Sequence, residues 1–91
     1  MTKSDLVIKI SESTGQPREQ VMSIVESLMQ EVQEANKQGE NVYLRGFGTF
    51  EVVKRAEKTA RIIHEDRTII IPAHNAPKFK PAKSFKQLVK S

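Results

Sequence analysis

Between Pro17 and Gln38 the chain repeats apolar residues at spacings of four and three: Val21, Val25, Leu28, Val32 and Ala35. That is the period of a packed helix. At 1.5 Å per residue the element would be about 33 Å long, as long as a small domain is wide. Met22, Ile24 and Met29 widen the stripe beyond what one short neighbouring helix covers, and Gly39 ends it. Ninety-one residues make one domain, 1–91, with room for one core. The stripe is covered either by an ordinary intramolecular core or by a second chain. On so small a protein this much apolar surface points to the second chain.

The flanking elements are short. Thr2 and Asp5 stand three apart as in a capping box, which predicts a helix to about Thr14 with Leu6, Val7 and Ile10 on one face. Gly15 stops it, and Pro17 fits the first position of the long helix, where a missing N–H costs nothing. Asn41 to Arg45 and Thr49 to Lys54 alternate as strands do, with Val42, Leu44, Phe50 and Val52 facing inward. Gly46-Phe47-Gly48 lies between them. The two glycines allow positive φ for a tight reversal, and Phe47 turns inward. This is no nucleotide loop, since the third glycine and the following helix are missing. A last helix is expected from Pro81 to Lys90, with Phe85, Leu88 and Val89 on one side and Lys83, Lys86 and Lys90 off that stripe.

Charge is unevenly placed. Residues 1–50 hold five basic and seven acidic side chains, whereas residues 51–91 hold ten basic and four acidic. A basic half on a slightly acidic half reads either as a surface for a polyanion or as a soluble protein with a lysine-rich tail. The stretch from Lys54 to Ile71 carries Lys54, Arg55, Lys58, Arg61 and Arg67 and offers few core anchors before Ile69. His64-Glu65-Asp66 reads as a turn between extended segments, a hairpin reaching roughly 30 Å at 3.3 Å per residue. An isolated two-stranded ribbon is marginal in water, so this one should be mobile until something binds it. Pro72 ends its return strand, His74 and Asn75 fall in a loop, and Ala76 to Phe79 brings an aromatic back.

Several classes of function are excluded. The absence of cysteine removes disulfides, thiolate metal sites and cysteine nucleophiles. His64 and His74 are too few for a metal site unless carboxylates help, and His64 reads as a solvated turn residue. Glu26, Glu31 and Glu34 read as a solvated helix face. No nucleophile–base pair or phosphate loop survives inspection, so neither an enzyme, a cofactor nor a small-molecule substrate is expected. Apolar runs such as Ile69 to Ile71 fall far short of the roughly 20 residues of a membrane span. With no signal-peptide stretch near Met1, a cytosolic location is expected.

The order helix, long helix, Gly46-Phe47-Gly48-Thr49-Phe50, basic arm, Pro77-Lys78-Phe79, short basic helix resembles the HU/IHF bacterial histone-like proteins over essentially the whole chain. The resemblance implies an α+β fold, an intertwined dimer with a helical base, an antiparallel sheet saddle and two extended β-ribbon arms. It divides the domain into a helical dimerisation region at 1–38, a β-arm at 54–71 and a C-terminal helix at 81–90. It implies a homodimer, or a heterodimer with a paralogue, that grips double-stranded DNA in the minor groove and bends it in the nucleoid of the cytoplasm, with little sequence preference. Arm contacts fall at Arg55, Lys58 and Arg61, with Arg67 a further cation of the arm, and flank contacts to phosphate at Lys3, Lys80, Lys83 and Lys86. The dimer core falls on Val25, Leu28, Val32, Leu44, Phe47, Phe50 and Phe79.

The arm tip departs from the family pattern. Members usually carry G-R-N-P-x-T-G there, with the proline as a wedge between base pairs. Here the stretch is Ala60-Arg61-Ile62-Ile63-His64-Glu65-Asp66, so Ile63 takes the proline's place and Ala60 and Asp66 replace the glycines. Val53 also stands where many relatives carry a basic residue. Isoleucine can unstack a base step, so Ile63 is the expected wedge; the other reading packs it against Ile70 across the ribbon or against another protein. Glu65 and Asp66 oppose phosphates. A second function reading keeps the fold and makes the aliphatic arm a protein-contact surface with weakened DNA bending. Single-stranded binding fits less well, because the arm lacks aromatic stacking platforms.

Overall fold

The computed structural model describes residues 1–90 as three helices and five antiparallel strands, in two compact units that meet between Ala35 and Asn36. Helix α1 spans Lys3–Thr14 and α2 spans Arg18–Lys37. The capping box forms: Asp5 N–H donates to Thr2 Oγ1 at 3.2 Å, and Thr2 N–H donates to Asp5 Oδ2 at 2.9 Å. Gly15 closes α1 at φ 76°, its N–H donating to Ser11 O at 2.9 Å, a left-handed position that suits glycine. Pro17 sits one position earlier than expected, as the N-cap of α2, with its carbonyl accepting from Val21 N–H at 3.1 Å.

These bonds hold the Asp5 carboxyl below its ordinary value of 3.8, through the Thr2 backbone N–H first and the Thr2 hydroxyl second. A carboxyl depressed by folding stabilises the fold fully above its unfolded pKa, and the gain is lost as pH falls through the lowered folded value. Asp5→Asn should therefore melt below the parent at pH 7, and that gap should begin to narrow as pH falls past about 3.8 in thermal denaturation followed by circular dichroism.

Among the described hydrophobic side chains only Val7 and Val21 are buried. On the face of α1 that carries Leu6, Val7 and Ile10, Val7 is buried, while Leu6 and Ile10 are exposed in the single chain. Along α2, Val25, Val32 and Ala35 are half-buried, whereas Leu28 is 51% and Ile24 70% exposed. Glu26 is not simply solvated: it pairs with Lys3 at 3.7 Å.

In the second unit, β1 (Val42–Leu44), β2 (Gly48–Arg55) and β5 (His74–Pro81) form a sheet in the order β1-β2-β5, while β3 (Lys58–Ile62) and β4 (Arg67–Ile71) form a separate two-stranded ribbon. Side-chain amides secure the sheet. Asn36 Nδ2 donates to Glu40 O at 2.8 Å and Phe50 O at 3.1 Å, and Asn41 Oδ1 accepts from Val52 N–H at 2.9 Å. His74 and Asn75 lie in β5 opposite Arg55 and Lys54, not in a loop. Helix α3 runs Lys83–Lys90, two residues shorter than expected, because Pro81 ends β5 opposite Gly48. Its first N–H partners extend the link: Lys86 N–H donates to Ala82 O at 3.0 Å, and Ala82 N–H to Phe47 O at 2.8 Å.

Candidate nucleic-acid interface

Strand register sorts the sheet into two faces, because successive side chains alternate. One face carries the pairs Gly48–Pro81, Phe50–Phe79, Val52–Pro77 and Lys54–Asn75. The other carries Thr49–Lys80, Glu51–Lys78, Val53–Ala76 and Arg55–His74. The phenylalanines thus fall opposite Arg55, Lys78 and Lys80, while Lys54 ends the phenylalanine face and Tyr43, opposite Thr49, lies on the other. Phe79 centres the apolar side, with ring centroids 4.8 Å from Phe50, 5.3 Å from Phe47 and 6.4 Å from Phe85, and Phe47 and Phe85 lie 5.3 Å apart.

The two glycines that frame Phe47 have different tasks. Gly46, at φ 81°, makes the reversal, with Phe47 N–H donating to Leu44 O at 2.9 Å. Gly48 does not share that conformation. It is buried in β2, where a Cβ would meet Phe79 Cζ at 2.5 Å and Lys80 O at 2.7 Å. Its missing side chain makes room for the ring, which corrects the expectation that both glycines serve the turn. Phe47 is itself 46% exposed, so its inward turn covers only part of it. Phe79, Pro81, Phe85, Lys86, Val89 and Lys90 line an apolar groove of ≈ 350 Å³. Phe85, which was not among the expected core residues, joins this ring cluster; its i, i+3, i+4 relation to Leu88 and Val89 was the available signal.

On the cationic side, Arg55 and Lys80 share the sheet face with Lys78, which the sequence reading passed over. Alternation from Phe79 was enough to place it. Lys83 and Lys86 stand three apart on α3, with Lys86 lining the groove beside Phe79 and Phe85 rather than sharing that sheet face. Lys3 belongs to the first unit, where it is paired with Glu26. In the ribbon, Lys58–Ile71, Ala60–Ile69 and Ile62–Arg67 occupy one face, and Thr59–Ile70 and Arg61–Thr68 the other. Lys58 and Arg67 therefore cap an aliphatic strip, with Arg61 behind it. The turn is 63–66, with Glu65 N–H donating to Ile62 O at 3.3 Å. Ile63 lies in that turn beyond the ladder and is 85% exposed. Ile70 faces Thr59, well down the ribbon, which rules out the Ile63–Ile70 packing considered above. No group of three or more metal-ligating side chains occurs among the described residues, and no helix there is long and apolar enough to cross a membrane.

A family model described as bacterial DNA-binding protein matches residues 1–90. The chain belongs to that family. Among its relatives, DNA-binding protein HU of Thermus thermophilus is 42% identical over 90 residues, covering 99% of this chain and 93% of that one. The SPbeta prophage-derived DNA-binding protein HU 2 of Bacillus subtilis is also 42% identical, over 91 residues, covering 100% of this chain and 99% of that one. In an HU–DNA cocrystal structure from Anabaena the HU chain is 29% identical and superposes with a TM-score of 0.93, with coverage of 98% and 97%. A single-residue mutant of HU from Thermotoga maritima, also 29% identical, gives 0.75, with coverage of 98% and 99%. The family is one of DNA-binding proteins rather than enzymes, and the expected α+β HU/IHF-type fold is the one found.

Proposed function

We propose that this chain is a histone-like protein of the bacterial nucleoid, in the cytoplasm, which binds and bends duplex DNA as a dimer with little sequence preference. The carrying observation is the division of the second unit: Arg55, Lys78 and Lys80 on the sheet face opposite Phe50 and Phe79, and a separate ribbon bearing Lys58, Arg61 and Arg67 with Ile63 exposed in its turn. The HU–DNA cocrystal structure from Anabaena, at a TM-score of 0.93, supports the same reading. Arg55, Lys58, Lys80, Lys83 and Lys86 are assigned to phosphates, with Lys3 as a flank contact and Arg61 and Arg67 at the tip. Phosphate contacts position the protein and carry no sequence information. The minor groove offers only a degenerate code, so preference follows the deformability of the duplex.

A second copy is required by exposure. Leu28 and Ile24 on α2, and Phe47, Leu88 and Val89 in the second unit, stand open in one chain. Val25, Val32, Leu44, Phe50 and Phe79 complete the surface assigned to the partner. Region 1–38 then supplies the helical part of the interface, 54–71 the arm, and the C-terminal helix of 81–90 the flank.

Ile63 is assigned as the wedge. Unstacking a base step costs on the order of a few kcal/mol, offset by the extra protein surface a bent duplex can reach. In a duplex labelled at both ends for fluorescence transfer, the parent should bend the DNA at a mass corresponding to two chains. Ile63→Ala should lose most of the bend while affinity drops no more than about tenfold, because the phosphate contacts remain. An unchanged bend angle would remove the wedge assignment. A parent that remains one chain and leaves the duplex straight would overturn the function and favour the protein-contact reading of the arm.

A further inference from the structure

The ribbon tip holds two arginines and two carboxylates, and each arginine already has a partner in its own chain. Arg61 Nη2 donates to Asp66 Oδ1 at 2.6 Å, and Arg67 Nε pairs with Glu65. The pairs lie on different sides of the ribbon, since Arg61 stands opposite Thr68 and Arg67 opposite Ile62. All four side chains are more than half exposed, so a phosphate could reach them. Asp66 stays at φ 50°, a left-handed conformation that few residues other than glycine, asparagine and aspartate adopt readily. That backbone brings its carboxylate back over the end of β3.

We propose that Asp66 and Glu65 are affinity-setting latches, which withhold Arg61 and Arg67 from DNA phosphates until the pairs open. The proposal rests on the DNA-binding reading above. An arginine neutralised by a carboxylate releases fewer phosphate counterions than a free one. When it does transfer to a phosphate, it leaves an unpaired carboxylate beside a polyanion. The tip therefore meets DNA nearly neutral and led by Ile63, and the cations outside it set the affinity. The latch gives physical content to the acidic residues at a place where a DNA-binding arm would otherwise be better served by cations alone.

The test is a mutant cycle on the full chain, with binding to a duplex of about 30 bp measured by fluorescence anisotropy over a range of sodium chloride. Its variants are Arg61→Gln, Asp66→Asn and the two combined. Asparagine tolerates the left-handed backbone, so the turn is retained while the charge is lost. Arg61→Gln should weaken Asp66→Asn about fivefold more than it weakens the parent, because only without the carboxylate is the whole arginine charge free for a phosphate. Asp66→Asn should also steepen the log–log salt slope by about 0.9 for each arginine released. Glu65→Gln with Arg67→Gln repeats the cycle independently. If Arg61→Gln has the same fold effect in both backgrounds while the parent binds, the carboxylate acts only as a distant charge and the latch is overturned alone. A parent with no salt-dependent binding overturns the DNA reading and the latch together.

Discussion

Raising sodium chloride from about 50 to about 200 mM should weaken binding to a random duplex of about 30 bp by on the order of 10³-fold or more. The magnitude follows from the cations outside the tip. Lys3, Arg55, Lys58, Lys80, Lys83 and Lys86 occur twice in a dimer, and even half of them engaged at once gives about six phosphate contacts. Each contact contributes about −0.9 to the slope of log affinity against log salt, so six give a slope steeper than about −5. Base-reading hydrogen bonds would behave differently, since they discriminate sequences by about 1–3 kcal/mol per good pair and depend little on salt. A duplex of different sequence but equal length should therefore shift affinity far less than the salt does. Anisotropy titrations at four salt concentrations on two unrelated duplexes measure both quantities. A slope near zero, or a sequence effect larger than the salt effect, would remove the phosphate-dominated mechanism.

The elements themselves were largely written in local sequence. Thr2, Asp5 and Gly15 bound α1 because capping and left-handed closure depend on residues only a few positions apart. The three-and-four spacing from Val21 to Ala35 marked α2 because one apolar face must recur every turn. What escaped depends on partners distant in the chain. His74 and Asn75 have little strand preference of their own, and they are extended because β2 offers Arg55 and Lys54 as ladder partners. The role of Gly48 is set by Phe79, thirty-one positions away, and no local pattern separates it from Gly46. At the tip, sequence showed two cations and two anions, but pairing them required the turn at 63–66 and the left-handed Asp66. Ile63 could be singled out from its place in the family pattern, whereas its distance from Ile70 follows only from the register of β3 and β4.

Gly48→Ala should be the most damaging single-methyl change in the chain, and the contrast with Gly46→Ala shows why. At Gly48 the backbone is not in the left-handed region, so alanine can adopt it, and replacing glycine within a strand should by itself gain about 0.5–1 kcal/mol. Against this stands the space. The new methyl would lie 2.5 Å from Phe79 Cζ, 2.6 Å from Phe79 Cε1 and 2.7 Å from Lys80 O. The ring cannot simply swing aside, since it is packed against Phe47, Phe50 and Phe85. The carbonyl belongs to the paired backbone of β5 and cannot retreat without opening the Thr49–Lys80 and Gly48–Pro81 register. Overpacking of this kind costs about 1–3 kcal/mol, and two rigid neighbours place it at the upper end, enough to outweigh the strand gain. For a domain of this size that lowers Tm by on the order of 10 °C. Because Phe79 also lies in the surface assigned to the second copy, dimer dissociation should shift to higher protein concentration. Gly46→Ala is the opposite case: nothing lies within 4 Å of its Cβ, but φ is 81°, so its cost is the about 1–2 kcal/mol of left-handed backbone and the aromatic cluster stays intact. Thermal melts and sedimentation of both variants separate the two mechanisms. A Gly48→Ala protein that melts and dimerises like the parent would show that the ring has room the structure does not give it.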